Sequence, residues 1–465
     1  MLVASRLAGR LAVRLLDFHR GEWPKYRHAE DVHESIHQPL EVQRERQLQR
    51  LRMIVELASR YTPFYRQRFQ QIGFQPGDLR SFDDLRFLPP VTKADLIAAD
   101  SKAVSTAPGL GHIIRTSTGG TTGQPLEFYR DIRCQLYRRG IDLALSRYYG
   151  WRDGEWQGWL WGAAVDAVHP SNLKTRLVQL LATRLYFADT TYLTDETYAR
   201  FVRQTRAHRP TLVGAYATLA YDLAVRISEG RVPAVRVPLV VCSAEPLSET
   251  QRDTIERILA DRCLSRYGAR EFGTAGIECS ERNGYHLFSE SVYCEIEPVK
   301  GMPGEVGKLL VTDLRNTAMP LIRYDIGDLG RIDTTRCPCG LESPRLVDLR
   351  GRTIEVLQRP DGSCVHGSAV LDAVRHSRIC AKIQVVQETI GQVIVNIAAD
   401  PTEHAAQVAS LKRLLRGLMG ENTSVDLRRV ETIRRSPSGK FPYIVSRLAA
   451  PGSSPEEAAE GPLGQ

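Results

Sequence analysis

The ten residues Thr116–Pro125, TSTGGTTGQP, hold three glycines and five hydroxyls directly after the apolar pair Ile113–Ile114 and Arg115. Glycine lets a backbone approach a ligand and turn its N–H groups toward it, and consecutive N–H groups so turned form a nest for an anion. Hydroxyls add further donors for phosphate oxygens. A Walker loop would place Lys and Ser/Thr after its last glycine. Here Gln124 and Pro125 follow Gly123. Two readings stand side by side: a phosphate cradle whose counter-charge comes from elsewhere, and a flexible Ser/Thr/Gly surface loop.

A second reactive set is Cys279-x6-His286 with Cys337-Pro-Cys339-Gly340. Three thiols and one imidazole make a tetrahedral zinc set, and Pro and Gly suit a tight metal knuckle. The C-x-C spacing is less telling than C-x2-C, and buried structural thiols are the other reading. Cys134, Cys242, Cys263, Cys294, Cys364 and Cys380 read as core or incidental. Nine cysteines scattered through a long chain do not look like a disulfide framework, so a reducing, cytoplasmic setting is expected.

These residues need a scaffold, and the pattern between 150 and 300 supplies one. Strand-like Thr211–Val213 precedes a helix over Thr218–Glu229, and Leu239–Cys242 precedes a helix over Ser248–Ala260. Strand-like Cys263–Tyr267 follows. Strands alternating with helices of this length mean stacked βαβ units and a mostly parallel sheet. Ligands then sit outside the carboxyl ends of the strands, which singles out Ser243–Pro246 and Gly268–Glu271. Val292–Glu297, Gly307–Thr312 and Gly330–Asp333 read as antiparallel strands. After Arg352 a smaller α+β unit follows, with strands at Gln384–Gln387 and Gln392–Ile397 and a helix placing Val408, Leu411, Leu415 and Leu418 on one face. Earlier, residues 40–60 read as a helix that Pro63 stops, with Thr62–Arg66 as an aromatic anchor.

A chain of 465 residues allows two to four domains, and 42% hydrophobic with 25% charged residues excludes wholesale disorder. The net charge of +8 suits polyanions or phosphate-bearing substrates. Because the arginines are spread rather than clustered, a small phosphorylated ligand is favoured over nucleic acid. No apolar run reaches membrane-spanning length. Met1–Leu16, rich in arginine and apolar residues, reads as a first helix packed on the body; a surface-seeking amphipathic segment, and so peripheral membrane contact, is the alternative.

Taken in order, these segments resemble those of adenylate-forming ligases, specifically the phenylacetate–coenzyme A ligase branch with its CapK-like members. The likeness runs from about Leu48 to Leu448. Thr116–Pro125 is similar to the family's phosphate loop, with Ser117, Thr118, Gly119, Gly120, Thr121, Thr122 and Gly123 as its contacts and Gln124 where Lys is usual. Ser243–Pro246 resembles the loop framing adenine, with Ala244, Glu245 and Pro246 near the base. Tyr267-Gly268-Ala269-Arg270-Glu271 resembles the segment whose aromatic stacks on adenine and whose glutamate holds Mg²⁺; Arg270 stands where Thr or Ser is common. In Arg323–Asp328 the last aspartate, Asp328, matches the ribose ligand. Gly351-Arg352-Thr353 resembles the hinge, without the acidic residues common after it. Ser438-Gly439-Lys440 resembles the loop carrying the catalytic lysine.

The resemblance implies an α/β fold: a large N-terminal AMP-binding domain (1–350) of mostly parallel layered sheets with an antiparallel β region, a mobile α+β lid (351–450) and a disordered tail (451–465). It implies ATP-dependent activation of a carboxylic acid, aryl or similar, to an acyl-adenylate and then transfer to coenzyme A. Lys440, Glu271 and Thr121 take the catalytic roles. In such a reaction negative charge grows on the α-phosphate and the leaving oxygen, so the protein must position and neutralise. Lys440 is a point charge for that purpose, and Asp328 accepts from two adjacent hydroxyls. Trp161, Tyr192 and Tyr216 are candidates for the acid pocket, with ordinary core packing as the other reading. ATP/AMP, Mg²⁺ and coenzyme A are the expected small molecules, structural zinc the expected second metal, and a monomer or homodimer the expected assembly. Rival readings pass the acyl group to an amine, hydroxyl or carrier protein, transfer the adenylyl group itself, or leave a non-catalytic nucleotide-binding scaffold.

Overall fold

A computed structural model describes residues 2–117, 126–161, 184–188, 194–299, 305–349, 356–366, 383–433 and 444–448, with isolated positions between 370 and 379. Strands β1 (Ile113–Ser117) and β2 (Glu127–Asp131) pair antiparallel with Ser117 opposite Glu127, which holds the two ends of the glycine-rich segment side by side.

The main body is one eleven-stranded mixed sheet. Its parallel part contains β3 (Gln157–Leu160), β4 (Leu185–Phe187), β5 (Leu212–Tyr216), β6 (Val237–Ser243) and β7 (Ala260–Ala269), in the order β4-β3-β5-β6-β7. Every residue of β5 is buried, as is all of β6 except Pro238, rather than alternating in and out. Such runs mark strands covered on both faces. The helices Ala217–Ser228 and Glu249–Ile258 cover one face, setting Leu219, Leu223 and Ile255 among Val213, Val240 and Cys263. On the other face Tyr149, just past the helix Ile132–Tyr148, packs on Leu212, Leu239, Val241 and Leu264.

Beyond β7 the pairing turns antiparallel. Strands β8 (Gly273–Glu278), β9 (Tyr285–Leu287), β10 (Val292–Pro298), β11 (Gly307–Asp313), β12 (Tyr324–Asp333) and β13 (Arg345–Val347) continue the sheet as β8-β9-β13-β12-β11-β10. The connection from β7 to β8 is too short for a crossover helix, so the chain folds straight back. Two glycines permit the tight return: Gly273 has φ +79°, and a Cβ on Gly268 would lie 2.4 Å from the Gly273 carbonyl oxygen.

After a hairpin of β14 (Val356–Gln358) and β15 (Cys364–His366), a second sheet contains β16 (Ile383–Thr389), β17 (Gln392–Ile397), β18 (Ser424–Arg429) and β19 (Ile444–Ser446), in the order β18-β17-β16-β19. The helix Ala405–Met419 lies on it, and Val385, Val393, Leu411, Leu415 and Met419 form a hydrophobic core of their own. Of the expected helix face, Leu411 and Leu415 are buried while Val408 and Leu418 are half-exposed.

Several sequence expectations shift. Pro63 ends one helix at Tyr61 but also opens another, Pro63–Gln71, because proline is tolerated in a first turn whose N–H groups lack partners. Tyr65 there does anchor: its hydroxyl donates to the Pro320 carbonyl at 3.1 Å and accepts from the Ile322 N–H at 3.0 Å. A helix at Pro24–Ile36, not anticipated, packs on Ile132–Tyr148, where Gly140 leaves room for His28.

Candidate functional site

The carboxyl ends of β5, β6 and β7 lie together, since Tyr216 pairs with Ser243 and Cys242 with Ser265. The loop after β6 opens at Ala244, held at φ +66°, where a side chain is rarely tolerated. Glu245 turns back: its carboxylate accepts from the backbone N–H (3.1 Å) and hydroxyl (2.7 Å) of Thr218. That satisfies donors at the start of the helix Ala217–Ser228, which has no cap of its own. Glu245 thereby ties the loop to the end of β5, and Pro246 follows in the same loop. In front of it the rings of Trp161 and Tyr216 meet at 4.5 Å. Tyr192, the third expected pocket residue, lies outside the described residues.

At the end of β7, Tyr267 is buried and its hydroxyl donates to an Asp328 carboxylate oxygen at 2.8 Å. Burial, then the Asp328 charge, raises the phenol well above its ordinary pKa, so it remains a donor at any working pH. The motif on β12 also holds Asp325, and the two acids divide their work. Asp325 accepts from the Gly327 N–H at 2.8 Å and stands 3.7 Å from Lys308, shaping the strand, with Gly327 at φ +81°. Asp328 is the one aimed at Tyr267. Arg323 is structural: it binds Glu295 at 3.2 Å and the Leu88 carbonyl.

Gly268 and Ala269 lead into the turn at Arg270–Phe272, which is gripped from behind. Arg138, on the helix Ile132–Tyr148, is 5% exposed and donates to the Glu271 carbonyl (2.6 Å), the Arg270 carbonyl (3.3 Å) and Asp313 (2.7 Å). Asp313 also accepts from the N–H groups of Arg315 and Asn316. A buried arginine that meets one carboxylate and two carbonyls rigidifies what it touches, and here it touches the backbone of Glu271. The Arg270 guanidinium reaches forward and donates to the Ser117 carbonyl at 3.2 Å, joining the turn to the start of the glycine-rich segment. On β2, opposite Ile114, Arg130 has a buried Nε with no hydrogen-bond partner among the described residues. Burial, then the charge of Arg138, pushes its pKa down to about 10. Arg270 thus brings a cation to the start of a segment that itself lacks one.

Neither Arg138 nor Asp313 was identified from the sequence. An arginine within an amphipathic helix looks solvated, and nothing in its spacing says that its partners are carbonyls 132 and 133 positions away. Thr118, Gly119, Gly120, Thr121, Thr122, Gly123, Arg352 and Lys440 lie outside the described residues.

The thiols and imidazole come together at the other end of the antiparallel strands. Cys279 Sγ is 3.7 Å from Cys337 Sγ, Cys339 Sγ is 3.3 Å from His286 Nε2, and all four ligand atoms lie within 4.8 Å of one another. Ligands about 2.0–2.3 Å from a tetrahedral centre lie roughly 3.3–3.8 Å apart, so the set fits zinc. His286 Nδ1 lies 3.2 Å from Ser343 Oγ, the kind of outer contact that fixes which ring nitrogen faces a metal.

Residues 357–447 match the family described as CapK C-terminal domain. The chain is 26% identical over 330 residues to a phenylacetate-coenzyme A ligase of Thermus thermophilus, covering 69% of this chain and 72% of that protein. It is 22% identical over 375 residues to protein CapK of Staphylococcus aureus, covering 78% and 80%. Among solved structures, 2-hydroxyisobutyryl-CoA ligase in the postadenylation state with 2-HIB-AMP aligns with a TM-score of 0.65 at 20% identity, over 88% of this chain and 90% of that one. The same ligase in the thioesterification state, with 2-HIB-AMP and CoA, gives 0.56 at 21% identity over 88% and 90%. The large mixed sheet with its smaller companion is the fold of the adenylate-forming ligases. In sequence the chain is similar to phenylacetate–coenzyme A ligases and to CapK.

Proposed function

We propose that the protein is an AMP-forming carboxylate ligase. A carboxylate oxygen attacks the α-phosphorus of ATP and pyrophosphate leaves. The thiol of coenzyme A then attacks the acyl carbon of the adenylate and AMP leaves. The observation that carries this reading is the meeting of Tyr267, Asp328 and the Arg138-held Glu271 turn at the carboxyl ends of the strands, where this class of sheet takes its ligands.

In this reading Tyr267 offers its ring to adenine and Asp328 accepts from the ribose hydroxyls. Ala244, Glu245 and Pro246 frame the base, with Gly268 and Ala269 leaving the backbone close to it. Ser117 through Gly123 surround the phosphates, with Thr121 donating to an oxygen where charge grows and Arg270 adding positive charge. Glu271 would hold Mg²⁺, which when bound supplies positive charge to the phosphate oxygens. Lys440 brings an ammonium to the α-phosphate from a lid of residues 351–450 that pivots near Arg352 against a body of residues 1–350; residues 451–465 form a tail. Trp161, Tyr192 and Tyr216 wall the acid pocket, which suits an aryl or similar acid. Cys279, His286, Cys337 and Cys339 hold a structural zinc that ties β9 and the end of β8 to the link between β12 and β13.

One observation favours a second reading of the acceptor. Residues 357–447 match the CapK C-terminal domain, and in this second reading a CapK-like enzyme passes the acyl group to an amine, a hydroxyl or a carrier protein instead of coenzyme A. The experiment is pyrophosphate release trapped by hydroxylamine across a panel of carboxylic acids, repeated with and without coenzyme A. Acid-dependent release supports adenylation, and AMP release accelerated by coenzyme A supports the thioester step. No release with any acid would defeat both readings.

A further inference from the structure

The second half of the helix Leu2–His19 presents an apolar strip outward. A helix laid on a protein body ordinarily turns its apolar stripe inward. Here Leu11, Leu15 and Phe18, spaced i, i+4 and i+7, are 63%, 57% and 70% exposed, and Trp23 beyond the helix is 48% exposed. The same spacing runs back through Leu7 and Ala4 in the sequence. The side turned to the body is fastened by polar contacts, with Val13 and Leu16 half-buried beside them. Asp17 is buried, accepts from the Tyr26 hydroxyl at 2.6 Å and pairs with Lys25 at 2.7 Å. Arg14 pairs with Asp153 at 3.3 Å and lies over the rings of Trp23 and Tyr26.

Charge decides what covers the strip. Asp17 is the only acid in the first twenty residues, against Arg6, Arg10, Arg14 and Arg20, and it is buried and neutralised. Arg10 and Arg20 are exposed. A second copy of the chain packed face to face would set these arginines against their own kind. An anionic surface with an apolar layer beneath it satisfies both features, with aromatic Phe18 and Trp23 at the boundary between them. We propose that this helix is a peripheral anchor for anionic lipid bilayers, lying in the headgroup plane with Leu11, Leu15 and Phe18 inserted. No described helix is long and apolar enough to cross a membrane, so the contact is on one leaflet.

The test is co-sedimentation of the full chain with vesicles of phosphatidylcholine alone and of phosphatidylcholine with about one third phosphatidylglycerol, at low and high salt. The expected result is binding to the anionic vesicles that weakens with salt and falls on the order of tenfold or more in Leu11→Ser/Leu15→Ser/Phe18→Ser. Arg10→Gln/Arg20→Gln should lose part of it. Because all five positions are exposed, circular dichroism should show both variants folded. Absence of pelleting in the unmodified chain, equal pelleting with neutral vesicles, or an unaffected triple variant would each overturn the proposal. So would a dimer in analytical ultracentrifugation that the triple substitution splits without any vesicle binding, which would assign the strip to self-association.

Discussion

Tyr267 and Asp328, sixty-one residues apart in sequence, are joined by a 2.8 Å hydrogen bond from the phenol to the carboxylate. The bond orients the acid that the proposed mechanism gives to ribose. Removing it in Tyr267→Phe keeps the ring and loses one charge-assisted hydrogen bond, about 1.5–3 kcal/mol at most. A rise in the KM for ATP of roughly 5- to 100-fold is expected, with a smaller change in kcat. Asp328→Ala should be worse on both. Steady-state kinetics at varied ATP checks this, and a Tyr267→Phe enzyme with unchanged ATP dependence would detach the pair from the nucleotide.

For Lys440→Ala, pyrophosphate exchange should slow by about 10²- to 10³-fold, the scale of losing one charge partner of a transition state. Glu271→Gln should raise the Mg²⁺ concentration needed for half-maximal exchange. Wild-type exchange in the lysine variant would sink its assignment.

Arg138 and Asp313 form a buried pair whose side chains are 6% and 1% exposed. Removing one partner strands the other, at a cost of about 3–5 kcal/mol. Arg138→Met should therefore lower the denaturant midpoint, while Arg138→Lys keeps the charge but cannot span the same three acceptors. If the arginine positions Glu271, the lysine variant should recover much of the stability yet still need more Mg²⁺. Recovery of both together would reduce Arg138 to a structural role.

About one zinc per chain is expected from elemental analysis of protein purified without added metal. Prolonged chelation or Cys337→Ser should lower the melting temperature by several degrees, since one kcal/mol shifts a domain of this size by roughly 2–4 °C. Pyrophosphate exchange at low temperature should change little, because the cluster supports strands rather than ligands. Metal-free protein with unaltered melting would leave the thiols as plain core.

Asp153 links Arg14 of the N-terminal helix to Arg147, at 3.3 Å and 2.8 Å. Burial alone would raise its pKa, but the Arg147 and Arg14 hydrogen bonds and charges outweigh that and hold it below the ordinary value. A depressed folded pKa adds stability that is fully present above the unfolded pKa and is lost as pH falls through the folded one. Wild type should thus exceed Asp153→Asn by about 1 kcal/mol near neutral pH. The gap should close below the ordinary carboxylate range. Parallel urea melts from neutral to acid pH measure the difference.

Much of the architecture was legible in the chain. The run Val237–Cys242 is apolar and rich in valine, and it sits between the helices Ala217–Ser228 and Glu249–Ile258, so the alternation of strand and helix indicated parallel strands. Short strands such as Tyr285–Leu287 and Arg345–Val347 were not, because three residues carry no period. They form only where neighbouring strands offer free edges. At the site, residues that touch a ligand announce themselves by type: glycines beside hydroxyls, an aspartate after glycine, thiols near an imidazole. Arg138 and the turn of Glu245 onto Thr218 gave no such sign, since what they do depends on carbonyls and N–H groups that every residue has.

The separate core of the smaller sheet has an evolutionary corollary. Among the described residues, its hydrophobic cluster draws on residues between Leu357 and Ile444, and the two larger clusters do not borrow from it. Among the described residues, recombination near residue 356 would therefore exchange the smaller sheet while disturbing none of the apolar packing around the larger one. A chain of this fold can in that sense take up a different carboxy-terminal piece without rebuilding the apolar interior of the rest.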